Sequence, residues 1–223
     1  MATQPKVLIF ENSFILANYL LKLWQGIAQR SIADHNQFNV ALSGGRTPAE
    51  FYCRLSTIDD DDLWRKTHLF LGDEHVVPAG VPAGHKENNY RMIKSSLVDY
   101  IHIPQGHVHM IPTDVDNAAV AAEHLKHELI GHFSYQRKPL PTFDLILLGV
   151  GEDGHTASLF PGMDNIADPN LVTMPVSLPH LKNDRVSISL SVINNAHYVF
   201  FLVLGAPKSE IMRKILEENF ACP

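Results

Sequence analysis

Asp153 and His155 stand two positions apart in the stretch FDLILLGVGEDGHTASLFPG, residues 143–162. An imidazole takes up a proton near neutral pH, and a neighbouring carboxylate orients it or the water it activates. The apolar run Leu145 to Leu148 has the length of a strand buried on both faces. The loop then leaves the carboxyl end of that strand, where open α/β sheets bind ligands. Gly149 to Gly154 also satisfies G-x-G-x-x-G, the dinucleotide fingerprint. That fingerprint must open a long helix and be followed by an acidic residue at a second strand end. Here Pro161 ends the segment too soon and no such acid follows, so a nicotinamide cofactor is not expected. Ser158 lies outside any G-x-S-x-G elbow, so nucleophilic serine chemistry is not expected either.

Other strand ends supply complementary groups. The turn Ser43-Gly44-Gly45-Arg46-Thr47-Pro48 follows the apolar run FNVAL. Its glycines permit positive φ and close approach of a ligand to the backbone. Thr47 as N-cap, Pro48 at the first helical position and Glu50 as its capping-box partner would start a helix there. A helix N-terminus beside Arg46 suits an anion; spacing alone also allows a plain capped helix with a solvated Arg46. Gly72-Asp73-Glu74-His75 ends another strand. Its carboxylates suit a site, and they equally suit helix capping or pairing with arginine. Lys208 lies at the start of the last helix, where the dipole disfavours a cation unless an anion sits between them. With Arg185, the inventory is one base, one orienting carboxylate and several cations. It suits water activation or proton transfer on a phosphorylated small molecule, with no metal required.

The elements that must hold these residues alternate. Strands are expected at 6–11, 38–42, 67–71, 107–111, 145–148, 171–176, 185–190 and 198–204, the last strongly apolar and buried. Helices are expected at 14–30, 49–57, 89–100, from Asp114 to about 133, and 207–220. Asp59 to Asp62 reads as a solvated loop. Residues 76–87, with two prolines and two glycines, form a long loop of the kind that serves as a flap. The fold expected is α/β: residues 1–223 as a single domain, with a doubly wound, mostly parallel sheet flanked by helices.

Composition narrows the function classes. The chain has 223 residues and a net charge of -6, which argues against a nucleic-acid surface. No apolar run is long enough to span a membrane. The first residues lack a signal-peptide pattern, and the two cysteines form no framework, so a cytoplasmic location is expected. Of the 13 histidines, the pairs His107/His109 and His124/His127 read as surface residues rather than metal ligands.

The strings SGGRTP (43–48), GDE (72–74), ENNYRM (87–92), GVGEDGHTASLFPG (149–162), RVSISL (185–190) and GAPK (205–208) resemble those of the 6-phosphogluconolactonases. That family sits in a superfamily with glucosamine-6-phosphate deaminases and ribose-5-phosphate isomerases. The deaminases share the pattern as far as DGH and differ beyond it. The resemblance implies cofactor-free hydrolysis of a sugar-phosphate lactone, with no obligate protein partner. It implies His155 as general base, Asp153 as the orienting carboxylate, and backbone amides of the glycine loop at the oxyanion. The phosphate would sit among Ser43 to Thr47, Arg185 and Lys208. Asp153 and His155 are close enough in sequence that a direct bond is not assumed; Asp153 could instead position water or the sugar. One departure is His75, where the family commonly has arginine. A histidine is a weaker, pH-dependent cation, so phosphate affinity is expected to fall as pH rises. Arg46, Arg91 or Lys86 could replace the missing arginine.

Overall fold

Three apolar runs become strands in which every residue is buried, as a strand covered on both faces requires. The computed structural model describes residues 5–77, 88–218 and 223. In chain order the elements are α1 (Ser13–His35), β1 (Phe38–Leu42), α2 (Arg46–Leu55), α3 (Asp61–Arg65), β2 (Thr67–Leu71), β3 (Asp73–His75), α4 (Asn89–Ser96), β4 (Val108–His109), α5 (Ala118–Phe133), β5 (Leu145–Leu148), β6 (Thr173–Val176), β7 (Arg185–Ile188), α6 (Leu190–Asn194), β8 (Val199–Phe201) and α7 (Ser209–Glu217).

The main sheet has five strands in the order β4-β2-β1-β5-β8, and every pairing in it is parallel. From β1 the chain first builds outward through β2 to β4, then returns to place β5 and β8 on the other side. The reversal falls between β1 and β5. In open α/β sheets this switch point is where loops diverge and leave a crevice. The single α/β domain with its mostly parallel central sheet, flanked by helices, is therefore as expected.

A second sheet was not expected. β3, β7 and β6 form a separate antiparallel sheet in the order β3-β7-β6. Gly72 marks the junction: its N–H donates to Leu42 O of the main sheet and its C=O accepts from Ile188 N, each at 2.8 Å. Asp73 to His75 thus continues as a strand of the second sheet, and His75 lies opposite Arg185.

Several local expectations are corrected. Lys6 to Glu11 joins no strand; Val7, Leu8 and Ile9 lie exposed, Ile9 at 92%. β8 is shorter than expected and not fully buried, because among the described residues it pairs with β5 alone; Phe201 is 52% exposed. Asp59 to Asp62 is no plain loop: Asp60 caps α3, accepting from Leu63 N at 3.0 Å, and Asp61 and Asp62 occupy its first turn. Acidic side chains there complement the helix dipole. α5 is capped by Asn117, not Asp114. Asn12 and Asn88 cap α1 and α4. The expected flap, with Lys86, lies mostly outside the described residues.

His107 and His109 do not face solvent. At the amino-terminal end of the main sheet, His68 stacks on His107 with centroids 3.8 Å apart. His68 Nδ1 lies 3.0 Å from His109 Nε2, and His109 Nδ1 lies 2.6 Å from Glu128 of α5. His132, also on α5, bonds Asn39 Oδ1 through Nε2 at 2.7 Å. Burial, then the other rings nearby, pushes His68 down to about 3 and His132 to about 4. These rings are neutral at physiological pH.

Candidate active site

The carboxyl ends of β1 and β5 carry the two glycine turns, on either side of the switch point. β1 runs into Ser43 and Gly44, and α2 starts at Arg46 with Gly45 as its N-cap at φ 106. This positive φ is costly for any residue with a Cβ, which is why glycine stands there. The cap differs from the expected one. Thr47 is inside the helix, no side chain caps the first amides, and the turn is set by Gly45. Gly44 is required for another reason: a Cβ there would lie 1.8 Å from Asn89 Oδ1.

Asn89 explains that closeness. Its Nδ2 donates to Asp73 O at 3.0 Å and to Asp73 Oδ1 at 3.3 Å. The other carboxylate oxygen of Asp73 accepts from Ser158 Oγ at 2.7 Å. Asp73 is buried, and burial raises its pKa against the pull of Ser158, Arg185 and His155. Its backbone and side chain tie α4 to the glycine loop after β5.

Glu74 turns the other way. Its carboxylate accepts from the backbone N–H groups of His75 (2.8 Å), Asn89 (2.9 Å) and Tyr90 (2.8 Å). It therefore anchors the start of α4, the capping role its position also allowed. Burial, opposed by those three amides, raises its pKa to about 7. The folded state thus holds the Glu74 proton more tightly than the unfolded chain does. That contribution is complete below the unfolded pKa and is lost as pH rises through about 7. Between pH 4.5 and pH 8 the wild type is expected to lose about 3 kcal/mol relative to Glu74→Gln, which does not titrate. Urea unfolding of both proteins across that range checks this; a constant difference would refute it.

The loop after β5 folds tightly on itself. Thr156 Oγ1 donates to Gly149 O at 2.9 Å, Gly151 N donates to His155 O at 2.7 Å, and Gly154 N to Gly151 O at 3.3 Å. This curl brings Asp153 directly onto His155, a contact that sequence spacing alone did not establish. Asp153 Oδ1 accepts from the His155 backbone N–H at 3.1 Å and meets the ring Nδ1 at 2.5 Å. Burial raises the Asp153 pKa, but the His155 amide and ring outweigh it and hold the carboxyl below its usual range. A carboxylate on Nδ1 fixes the proton there and leaves Nε2 with the free lone pair. The His155 ring packs on Phe160 at 4.5 Å, and the Arg185 guanidinium lies 5.6 Å from the centre of the same Phe160 ring.

These loops enclose a cleft of about 860 Å³. Ser43, Gly44, Gly45, Arg46, Asp73, His75, Asp153, His155, Arg185 and Lys208 all line it. Thr47 and Glu74 do not. Thr47 borders a small depression near Leu20 and Phe51 instead. Asn88, Asn89, Met92 and Glu152 join the lining without having been singled out. Two buried polar atoms there, Ser43 Oγ and Arg185 Nε, have no hydrogen-bond partner among the described residues. Such atoms in a cleft are candidates for a ligand or an ordered water. Lys208 stands just ahead of α7, as its N-cap.

An imidazole–carboxylate pair beside basic side chains, at the switch point of an open parallel sheet, is an arrangement that can serve general acid–base chemistry. The chain belongs to the glucosamine-6-phosphate isomerase/6-phosphogluconolactonase family, whose pattern it matches over residues 11–223. A 6-phosphogluconolactonase of Synechocystis sp. is 35% identical over 216 residues, spanning 96% of this chain and 85% of that protein. The structure of a 6-phosphogluconolactonase from Trypanosoma cruzi superposes with a TM-score of 0.82 at 26% identity, covering 100% of this chain and 88% of that one. A monomeric glucosamine-6-phosphate deaminase superposes with a TM-score of 0.75 at 18% identity, covering 96% of this chain and 88% of that one, a likeness of fold alone.

Proposed function

We propose that this chain hydrolyses 6-phospho-D-glucono-1,5-lactone to 6-phospho-D-gluconate, the second step of the oxidative pentose phosphate pathway. The observation that carries the reading is the Asp153–His155 pair, at 2.5 Å, in a cleft that also presents Arg46, Arg185 and Lys208. His155, with its proton held on Nδ1 by Asp153, accepts a proton from water at Nε2. The water attacks the lactone carbonyl carbon, and the ring oxygen leaves as the ester bond breaks. The proton taken by His155 is then available to that leaving oxygen.

The negative charge that develops on the carbonyl oxygen needs a donor. Gly151 and Gly154 do not provide it, since their amides already donate within the loop. The cations and the amides at the start of α2 hold the phosphate. His75, which stands where the family commonly has arginine, lies opposite Arg185 in the second sheet and lines the cleft. No helix among the described residues is long and apolar enough to cross a membrane. A cytoplasmic location and a single domain over residues 1–223 go with this reading.

The test is the rate of acid release from freshly generated lactone, corrected for spontaneous hydrolysis. Protein-dependent acceleration is expected, with no ammonia formed from glucosamine 6-phosphate in a parallel assay. Ammonia release without lactone hydrolysis would replace the reading with a deaminase; tight sugar-phosphate binding without turnover would replace it with a binding module.

A further inference from the structure

We propose that His68, His109 and His132 form a divalent transition-metal site of the zinc type, at the end of the main sheet opposite the catalytic cleft. One donor nitrogen from each lies within 4.8 Å of the others. The three come from separate elements: His68 from β2, His109 from β4 and His132 from α5. Tetrahedral zinc with Zn–N bonds of about 2.0–2.1 Å places its nitrogens about 3.3 Å apart. The His68 Nδ1 to His109 Nε2 separation, 3.0 Å, is already close to that. The third ring must pivot inward to complete the set, and three histidines leave one position of a tetrahedral ion for a water.

The surroundings match what a zinc-bound imidazole needs. A ligating histidine usually gives its other ring nitrogen to a carboxylate or carbonyl, which fixes the tautomer. Here Glu128 takes His109 Nδ1 at 2.6 Å, leaving Nε2 toward His68. Asn39 Oδ1 accepts from His132 Nε2 at 2.7 Å and holds that ring against β1. Glu128 is 49% exposed while the His109 side chain is 8% exposed, so the carboxylate also marks a way in from solvent. Imidazole donors favour zinc, cobalt, nickel or copper over magnesium or calcium. The plainer account is a hydrogen-bonded cluster of histidines under α5. It explains the single bond between His68 and His109, but not a third imidazole beside them backed by its own acceptor. A bound ion would cross-link α5 to β2 and β4, well away from His155.

The experiment titrates zinc chloride into chelator-treated full-length protein by calorimetry. One ion per chain is expected, bound at micromolar affinity or tighter. A hundredfold excess over Kd should raise Tm by roughly 5–10 °C. His132→Gln should remove the site, and Glu128→Gln should weaken it by about 10–100-fold. Because Glu128 is exposed, that variant tests the site even if His132→Gln fails to fold. Cobalt should give the visible absorption of a tetrahedral centre in the wild type, absent in His132→Gln. The double variant His124→Ala/His127→Ala should bind as the wild type does. The proposal is overturned by a lack of saturable zinc binding, by binding that Glu128→Gln leaves unchanged, or by binding that depends on His155 instead.

Discussion

Replacing His155 with alanine should lower kcat on the lactone by about 10²–10⁴-fold while KM stays within a few fold. The size follows from the role: a positioned general base contributes about that much by taking a proton as the nucleophile attacks. The specificity of the effect follows from the architecture. His155 sits on a loop closed by its own hydrogen bonds, from Gly151 N to His155 O and from the Thr156 hydroxyl to Gly149 O. Removing the ring does not open that loop, so the cations proposed to hold the phosphate stay in place. Steady-state kinetics on the wild type and the variant checks this. Near-normal kcat would show that another group takes the proton; a large rise in KM with kcat intact would make His155 a binding residue.

Gly151→Ala should cost at least about 100-fold in kcat, though it removes no functional group. A Cβ at this position would lie 2.2 Å from His155 Nδ1, 2.4 Å from Cε1 and 2.5 Å from Asp153 Oδ1. The backbone φ at Gly151 is not in the left-handed region, so alanine is conformationally allowed and the effect is purely steric. The ring and the carboxylate cannot both yield without parting from each other. A displacement of about 1 Å is enough for such a loss, because proton transfer depends steeply on geometry. Gly149→Ala is the matched control, since a Cβ there meets nothing within 4 Å. It should retain most of its activity. Equal losses in the two variants would mean that the loop needs backbone freedom and that the close packing of His155 is not the cause.

The part of this architecture that was legible in the sequence is the part governed by short-range pattern. Phe38–Leu42, Thr67–Leu71 and Leu145–Leu148 appear as strands at the residues expected, because strands buried on both faces are mostly apolar runs. Lys6 to Glu11 is just as apolar, yet composition cannot say whether a partner strand lies alongside. The same limit applies to β8, whose apolar sequence does not reveal that among the described residues only one neighbour pairs with it. β3 is three residues long and antiparallel, too short for any periodicity to register.

The site divides in the same way. Asp153, His155, Arg185 and Lys208 were legible as groups at element ends. The capping of α4 by Glu74 was open as an alternative, but deciding it needed the amides of Asn89 and Tyr90, fifteen and sixteen residues on. Asn89 was hidden because its side chain works across elements. The histidine cluster was illegible for the same reason: His68 and His109 meet over a separation of 41 residues.

Asp73 has a further consequence. Its carboxylate and carbonyl connect Asn89 on one side to Ser158 on the other, and Asn89 in turn abuts Gly44. The glycine turn after β1, the first turn of α4 and the glycine loop after β5 are therefore braced through one buried acid. Disturbances at these three places should not combine as independent losses, because groups in one hydrogen-bonded network are energetically coupled. The cleft behaves less like a set of separate loops than like a truss: it holds shape as a whole, and slackening any member is felt at the others.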